Sequence, residues 1–454
     1  MGIRRLKLTE QAGCAPPLRL LSAFLVQRIV FPTTERDPWR WCLGICAAFL
    51  AILCFRLHIP SKIYFDEVHY VKAARILLSL DHPQNPEHPM VGKELIAAGI
   101  ALFGDTPRGW RIMPALFGTI GLFAFSRMMW LASGRRLATL LGTVLLATNF
   151  AWFIQSRIAM LDIFMAAFCM MALWQVAGAV RRPAQGRWRL ALAGVFLGLS
   201  MGAKWSVIAA AMIPGLAFLA IRARVQGRGF LLTTKGPPVP GISLIEAALW
   251  LGLLPLLVYF ATFAPTWFYA QRPASPWHPI DYQMYMIRLQ DSVIKKHTYM
   301  TVWWQWVIDY RGVWYLYEMV DGAQRGILLI GNPVSMWSGL LALVWCLWAG
   351  IRKQRHDALA FAVLYLAAIG MWVGNGKPVQ FYYHYLLPGT FLMACLALAI
   401  DELWRQRDRR LHWLAMSVMA ANLAIWAFFL PITSAGALAS KQSYVTWMWL
   451  NSWR

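Results

Sequence analysis

The stretch RWCLGICAAFLAILCFRLHIPSKIYFDEVHY, Arg40 to Tyr70, decides how this chain is read. Its first part, near 40–58, is an apolar run close to the roughly 20 residues that cross a bilayer. It ends on two adjacent carboxylates, Asp66 and Glu67, in an oily setting. A hydrophobic span opening onto paired acids places polar chemistry at the edge of a membrane, where ionisable groups are costly and usually functional.

The same kind of run recurs outward from there. Further apolar runs lie near 110–131, 136–152, 157–178, 189–203, 205–221, 242–264, 327–350, 358–374, 384–400 and 412–432, about eleven in all. The 454 residues are 59% hydrophobic, against about 45–50% for a soluble domain. The expected fold is an all-α polytopic membrane protein, with amphipathic interfacial helices in its first outer loop. Some runs are short for a full crossing, so kinked or re-entrant pieces are expected among them. The 25 Trp residues suit a chain with two membrane interfaces.

The net charge of +23 does not read as a nucleic-acid surface, which would need a clustered basic patch. Instead the cations fall in short loops. Arg135-Arg136, Arg181-Arg182, Arg187, Arg189, Arg222, Arg224, Arg228, Lys235, Arg352, Lys353, Arg355 and the arginines from 405 to 410 sort to one side. The positive-inside rule makes that side cytoplasmic, with the N-terminus. Residues 1–39 then form a cytoplasmic extension broken by Pro16-Pro17, with no cleavable signal peptide. Residues 40–432 form the membrane domain, and 433–454 an outer tail. The outer loops are 59–109 and 265–326. No internal repeat is visible.

Seven cysteines lie mostly inside spans without a CxxC pair, which supports neither a disulfide framework nor a metal knuckle. No HExxH or paired His/Asp spacing suggests a metal, and no cofactor is expected. His58, His82 and His278 carry no partner spacing.

The outer face holds isolated cations: Lys93, Arg111, Arg157, Lys204, Arg311 and Lys377. After Asp66, the residues Val68, Val71 and Leu78 recur at helical spacing, as in a helix lying in the interface. Asp66 can cap this helix and Glu67 can favour its positive end. Equally, a carboxylate here can take the proton of a hydroxyl nucleophile. The next segment, EHPMVGK, supplies Glu87, His88 and Lys93, and Arg111 stands at the entry of the second long run. Arg or Lys there can hold the phosphate of a lipid-linked leaving group. Arg157 and Asp162 have two readings, a snorkelling cation with a helix-start acid, or site residues. Lys204 between two apolar runs calls for an anionic partner, since a lone cation there is costly. The stretch TVWWQWVIDYRGVWYLYE, Thr301–Glu318, is either an interfacial aromatic belt or a sugar platform.

Taken in order, these segments resemble the protein O-mannosyltransferases, membrane enzymes of the GT-C fold. FDEVHY at 65–70, HPMVGK at 88–93, WRIMPALFG at 110–118, SRIAMLD at 156–162, GAKWS at 202–206, WWQWVIDYRGVWYLYE at 303–318 and GNPVSMW at 331–337 are similar to that family's motifs. The resemblance implies a polyprenyl-phosphate-mannose donor, a Ser or Thr hydroxyl of an exported protein as acceptor, and inversion. It implies Asp66 as general base, Arg111 on the donor phosphate and Lys204 as a further functional cation. With the residue reading, the candidate site comprises Asp66 and Glu67 as catalytic carboxylates. Arg111, Lys204 and Arg157 are its donor-phosphate cations. Glu87, His88, Asp162, His297, Arg311 and Trp306 are its substrate contacts. Departures from the family pattern are Glu87 for an Asp, Met90 and Gly312 for prolines, and a long outer loop of about 60 residues, too short to hold a soluble domain. The chain thus looks like a minimal bacterial member, in an inner membrane with its site on the periplasmic face. Two other readings stand beside it: a related transferase moving a sugar such as aminoarabinose to a lipid or glycan, and a polyprenyl-sugar transporter. Relatives of the first kind carry Lys-Pro-Pro where this chain has His88-Pro89-Met90. A transporter predicts midplane charges and a repeat.

Overall fold

A bilayer core offers no hydrogen-bond partner to a free backbone N–H or C=O, so apolar segments that cross it fold as helices. The computed structural model describes residues 35–292, 297–377 and 379–454. The expected N-terminal extension lies almost wholly outside the described residues, as does Cys14.

The chain runs through α1 (Trp39–Cys54), then two short helices, α2 (Glu67–Ser79) and α3 (Val91–Phe103). It continues through α4 (Pro107–Ser133), α5 (Arg136–Ala147), α6 (Phe150–Gln155), α7 (Asp162–Arg181), α8 (Gly186–Ala203) and α9 (Ile208–Gln226). Helices α10 (Leu244–Ala248) and α11 (Leu254–Ala261) are joined by a π-helical turn. The second outer loop holds α12 (Pro279–Asp291), α13 (Trp303–Val307) and the strands β1 (Val313–Val320) and β2 (Ala323–Leu329). The last four helices are α14 (Pro333–Arg352), α15 (His356–Val373), α16 (Leu386–Arg405) and α17 (Arg409–Thr433).

The protein is therefore a mostly helical, multi-pass membrane protein. Every apolar run carries helix. Among the described residues, eight helical segments are long and apolar enough to cross a membrane, and α1 and α5 are shorter apolar helices. The count of about eleven crossings is thus not reached on length and composition alone. The run at 136–152 is split at Thr148-Asn149, where the Asn149 side chain accepts from Trp152 N and starts a new helix.

The β1–β2 hairpin departs from the all-α expectation. It is antiparallel, closed by Asp321-Gly322, both with positive φ. Asp-Gly between two apolar strands is the sequence signal for a tight hairpin. It also corrects the run at 327–350: residues 327–329 end β2, and the helix starts at Pro333, capped by Asn332.

Packing is tightest where small residues meet. A Cβ on Gly121 of α4 would lie 2.9 Å from Ala167 Cα of α7, and such residues let membrane helices approach closely. Polar links cross the bundle as well: Asn332 Nδ2 donates to Asn422 O at 3.0 Å, and Asn422 Nδ2 to Thr148 Oγ1 at 2.9 Å. Leu216, Leu256 and Leu414 point outward from α9, α11 and α17, as suits a lipid-facing surface. On α2 the buried face is Tyr70, Val71, Ala74 and Leu77, while Val68 and Leu78 are exposed. That helix is apolar on two sides, between bundle and surroundings.

Helix direction alternates so that the arginine-rich loops gather at one end of the bundle. Arg135 and Arg405 pair there with the buried Asp401 at 2.8 Å each, and Arg355 bridges Asp357 and Glu402. At the opposite end the two loops, the hairpin and the chain's tail pack together. Leu438 N donates to Gln324 O at 2.8 Å, and Trp453 Nε1 to Asp309 O at 2.8 Å.

Candidate active site

The paired acids separate completely. Glu67 is fully buried. Its Oε1 accepts from Arg111 Nε at 2.8 Å and Ala159 N at 3.0 Å, and its Oε2 from Arg111 Nη2 at 2.8 Å and Tyr64 N at 3.3 Å. Arg111 is equally buried and spends its other donors on the carbonyls of Leu57, Pro60 and Lys62. A guanidinium has five N–H donors, and here all are engaged. In this arrangement all the Arg111 donors are taken up by protein groups, and the Glu67 carboxylate is held in place by Arg111 and two backbone N–H groups.

Arg157 is engaged in the same way. Its guanidinium donates to the carbonyls of Ile52, Leu53, Phe55 and Arg56, which close the C-terminal end of α1. A cation there satisfies orphan carbonyls and suits the negative end of the helix.

Asp66 is left with the opposite environment. It sits at the N-cap position of α2, yet its side chain makes no capping hydrogen bond, which removes the cap reading. The preceding Phe65 is held at φ 49°, a costly conformation for a bulky residue. Its ring stacks on Tyr315 of β1 at 3.9 Å between centroids, and Tyr315 Oη accepts from Gln155 Nε2 at 2.9 Å. Burial pushes the Asp66 carboxyl up to about 6, with Lys204, His69 and Lys377 pulling it back and Asp162 adding to the rise.

Around Asp66 stand groups from distant parts of the chain. Asp162, the first residue of α7, receives both contacts of the Lys204 ammonium at 2.8 Å. Lys204 ends α8, so acid and cation each sit at the helix end that favours them. The ammonium also lies 4.6 Å above the Tyr383 ring. His88 packs edge-on against Tyr70 at 5.8 Å. Burial and the cations Lys204, Lys377 and Lys93 hold its imidazole well below the usual range, hence neutral. Glu87 is held by Asn85 Nδ2 at 2.6 Å, and the Lys93 ammonium pins the same loop through the carbonyls of Asn85 and His88.

Three expected substrate contacts lie elsewhere. Trp306 is fully buried, donates to Thr301 Oγ1 at 2.7 Å and packs on Trp372, so it serves the core rather than a sugar face. Arg311 donates to Thr298 O within its own loop. His297 is exposed and rests on Phe381 at 5.3 Å, at the periphery.

One residue was passed over. Lys377, between α15 and α16, acts electrostatically on Asp66 and feels Lys204, Asp162 and Glu87, and its ammonium has no hydrogen bond or salt bridge among the described residues. Burial, followed by Lys204, lowers it to about 8. It stands in the outer-face list of isolated cations, but no spacing links it to Asp66, over 300 residues earlier.

The arrangement is thus an unbonded, half-buried carboxylate facing two cations, beside a neutral imidazole and aromatic rings. It can accept a proton from a hydroxyl and hold an anionic group. Residues 42–268 match the family profile described as dolichyl-phosphate-mannose-protein mannosyltransferase, and residues 278–453 match that of the C-terminal four-transmembrane region of protein-O-mannosyltransferase. The chain belongs to the protein O-mannosyltransferase family.

It is a membrane glycosyltransferase of that family, and its similarity to relatives runs end to end. It is 28% identical to a polyprenol-phosphate-mannose–protein mannosyltransferase of Corynebacterium glutamicum, over 93% of this chain and 95% of the relative. It is 27% identical to one of Mycolicibacterium smegmatis, over 98% and 99%. The fold is similar to that of the S. cerevisiae protein O-mannosyltransferase Pmt1-Pmt2 complex bound to the sugar donor, with a TM-score of 0.76 at 13% identity over 96% of this chain and 94% of that one. It is also similar to ArnT of Cupriavidus metallidurans bound to undecaprenyl phosphate, with a TM-score of 0.58 at 13% identity over 87% and 65%. These two likenesses concern the fold alone.

Proposed function

We propose that this enzyme moves mannose from polyprenyl-phosphate-mannose to a Ser or Thr hydroxyl of an exported protein, with inversion. The observation that carries the mechanism is the free Asp66 carboxylate set opposite Lys204 and Lys377. The acceptor hydroxyl attacks the anomeric carbon and gives its proton to Asp66. The bond between that carbon and the phosphate oxygen breaks on the far side, and polyprenyl phosphate leaves with the electron pair. Lys377, whose ammonium has no hydrogen bond or salt bridge among the described residues, meets the phosphate, while Lys204 is oriented by Asp162 beside it. Phosphate is a good leaving group, so one base suffices where glycoside hydrolysis generally uses two carboxylates. His88 and Glu87 lie where sugar hydroxyls need polar partners. The arginine-rich end faces the cytoplasm with the N-terminus by the positive-inside rule. The Asp66 end then faces the extracytoplasmic side of a bacterial inner membrane.

Purified enzyme given a panel of polyprenyl-phosphate sugars and a Ser/Thr-rich peptide tests this by mass analysis. Mannosylated peptide with inverted anomeric configuration is the expected product. Transfer to a lipid, or from aminoarabinose alone, would overturn it.

Lys377→Ala is expected to raise KM for the donor about tenfold or more, with a smaller loss of kcat, since charge-assisted contacts to phosphate contribute about 1.5–3 kcal/mol. Lys377→Arg recovers part of the loss. Unchanged donor KM in Lys377→Ala would remove the residue from the phosphate site.

A bell-shaped profile is expected for kcat/KM, because that parameter reports the free enzyme's groups. The base must be ionised, so activity falls as pH drops through about 6. The cation must be protonated, so activity falls again as pH rises through about 8. Lys377→Arg keeps the acidic limb and loses the alkaline one.

A further inference from the structure

At the arginine-rich end of the bundle, away from Asp66, the helices do not close. A cavity of about 970 Å³ opens between α7, α9 and α15. Its walls are apolar, with Leu173 and Val176 from α7, Ile213 and Ala217 from α9, and Leu364 from α15. These side chains climb from the helix ends toward the middle of the spans. Arg352, in the last turn of α14, stands on the rim. It is exposed and forms no salt bridge among the described residues. The rim also holds Asp357, but Arg355 grips that carboxylate through contacts of 2.9 and 2.8 Å. The charge of Arg352 is therefore uncompensated.

An apolar slot rising into the membrane, with a cation at its mouth, fits one shape of ligand: a chain lodged between helices and a phosphate at the level of their ends. Basic pockets between transmembrane helices on the cytoplasmic side take anionic head groups. A slot this size lies within the range of small-molecule sites, and an apolar cavity does not hold water well. Two of the walls also lead to the reaction site, since α7 begins at Asp162 and α15 runs out toward Lys377.

We propose that this cavity is a binding site for an anionic phospholipid of the leaflet at the arginine-rich end, with its phosphate on Arg352. Naming that leaflet cytoplasmic rests on the sidedness proposed above, whereas the lipid site rests only on the cavity and its rim.

The test is native mass spectrometry of the purified full chain titrated with phosphatidylglycerol or phosphatidylcholine. Phosphatidylglycerol is expected to be retained more tightly, as a single molecule. Ala217→Trp fills the slot and loses that molecule. Arg352→Glu, at an exposed position that leaves the fold intact, reduces the preference for phosphatidylglycerol about fivefold or more, in line with the worth of one cation near an anionic surface. Equal retention of the two lipids, or retention unchanged by both substitutions, overturns the proposal. So does recovery of a polyprenyl phosphate in place of the phospholipid. Sugar transfer by the same preparation is a separate reading, so failure of the lipid site and failure of the proposed reaction are distinguishable.

Discussion

Asp66→Asn is expected to lower sugar transfer by about 10²–10⁴-fold, the usual worth of a positioned general base, while donor binding and membrane insertion persist. The geometry gives both halves of that result. The carboxylate makes no capping hydrogen bond and no salt bridge among the described residues, so no hydrogen-bonded link of the fold is lost with its charge. Burial raises its pKa to about 6, above the usual carboxylate range. A raised carboxyl means the folded state prefers the protonated form. Stability contributed by this group is lost as pH rises from about 4 to 6, and stays lost above that. Asn removes the charge, so the variant is expected to melt at the same temperature as the parent or higher near pH 7, the familiar exchange of stability for activity at a reacting residue. Transfer assays on isolated membranes and a melting curve in detergent measure the two effects. Parent-level transfer from polyprenyl-phosphate-mannose to a peptide would remove Asp66 from the base role. A strongly destabilised variant would make it structural.

Arg111→Ala is expected to act in the reverse order, on stability first. Arg111 and Glu67 are both 0% exposed and hold each other through two 2.8 Å contacts. Removing the cation leaves an uncompensated buried carboxylate and three orphaned carbonyls, a loss of about 3–5 kcal/mol. The double change Arg111→Met with Glu67→Leu is expected to be milder than either truncation alone, because no charge is then left unpaired. Arg111→Lys does not rescue, since one ammonium cannot reproduce a planar five-donor fork. Thermal melts of the three variants decide between this anchor and the phosphate role that the sequence resemblance implied. A variant of parent stability with only a raised donor KM would restore the phosphate role.

The distinction between Asp66 and Glu67 shows where sequence reading stops. Both are acids in one loop, and a resemblance marks the pair without dividing its labour. The division comes from Arg111, Ala159 and Tyr64, which surround one side chain and not the other. Arg157 and Trp306 are a similar case. Their types suit phosphate and sugar, but α1's open carbonyls and the Thr301 hydroxyl use them first. Lys377 is the converse, an isolated cation in sequence that folding carries to the site.

The sequence by itself determined the membrane class, the helical runs, the sorting of arginines to one end and the segment that bears the base. Hydrophobic length and loop charge are local quantities, and a bilayer reads them locally. Only the tertiary structure decided which charged groups are free to react. That depends on which carbonyls, carboxylates and rings from remote segments reach each side chain, and a buried polar group is claimed by whatever partner the packing supplies.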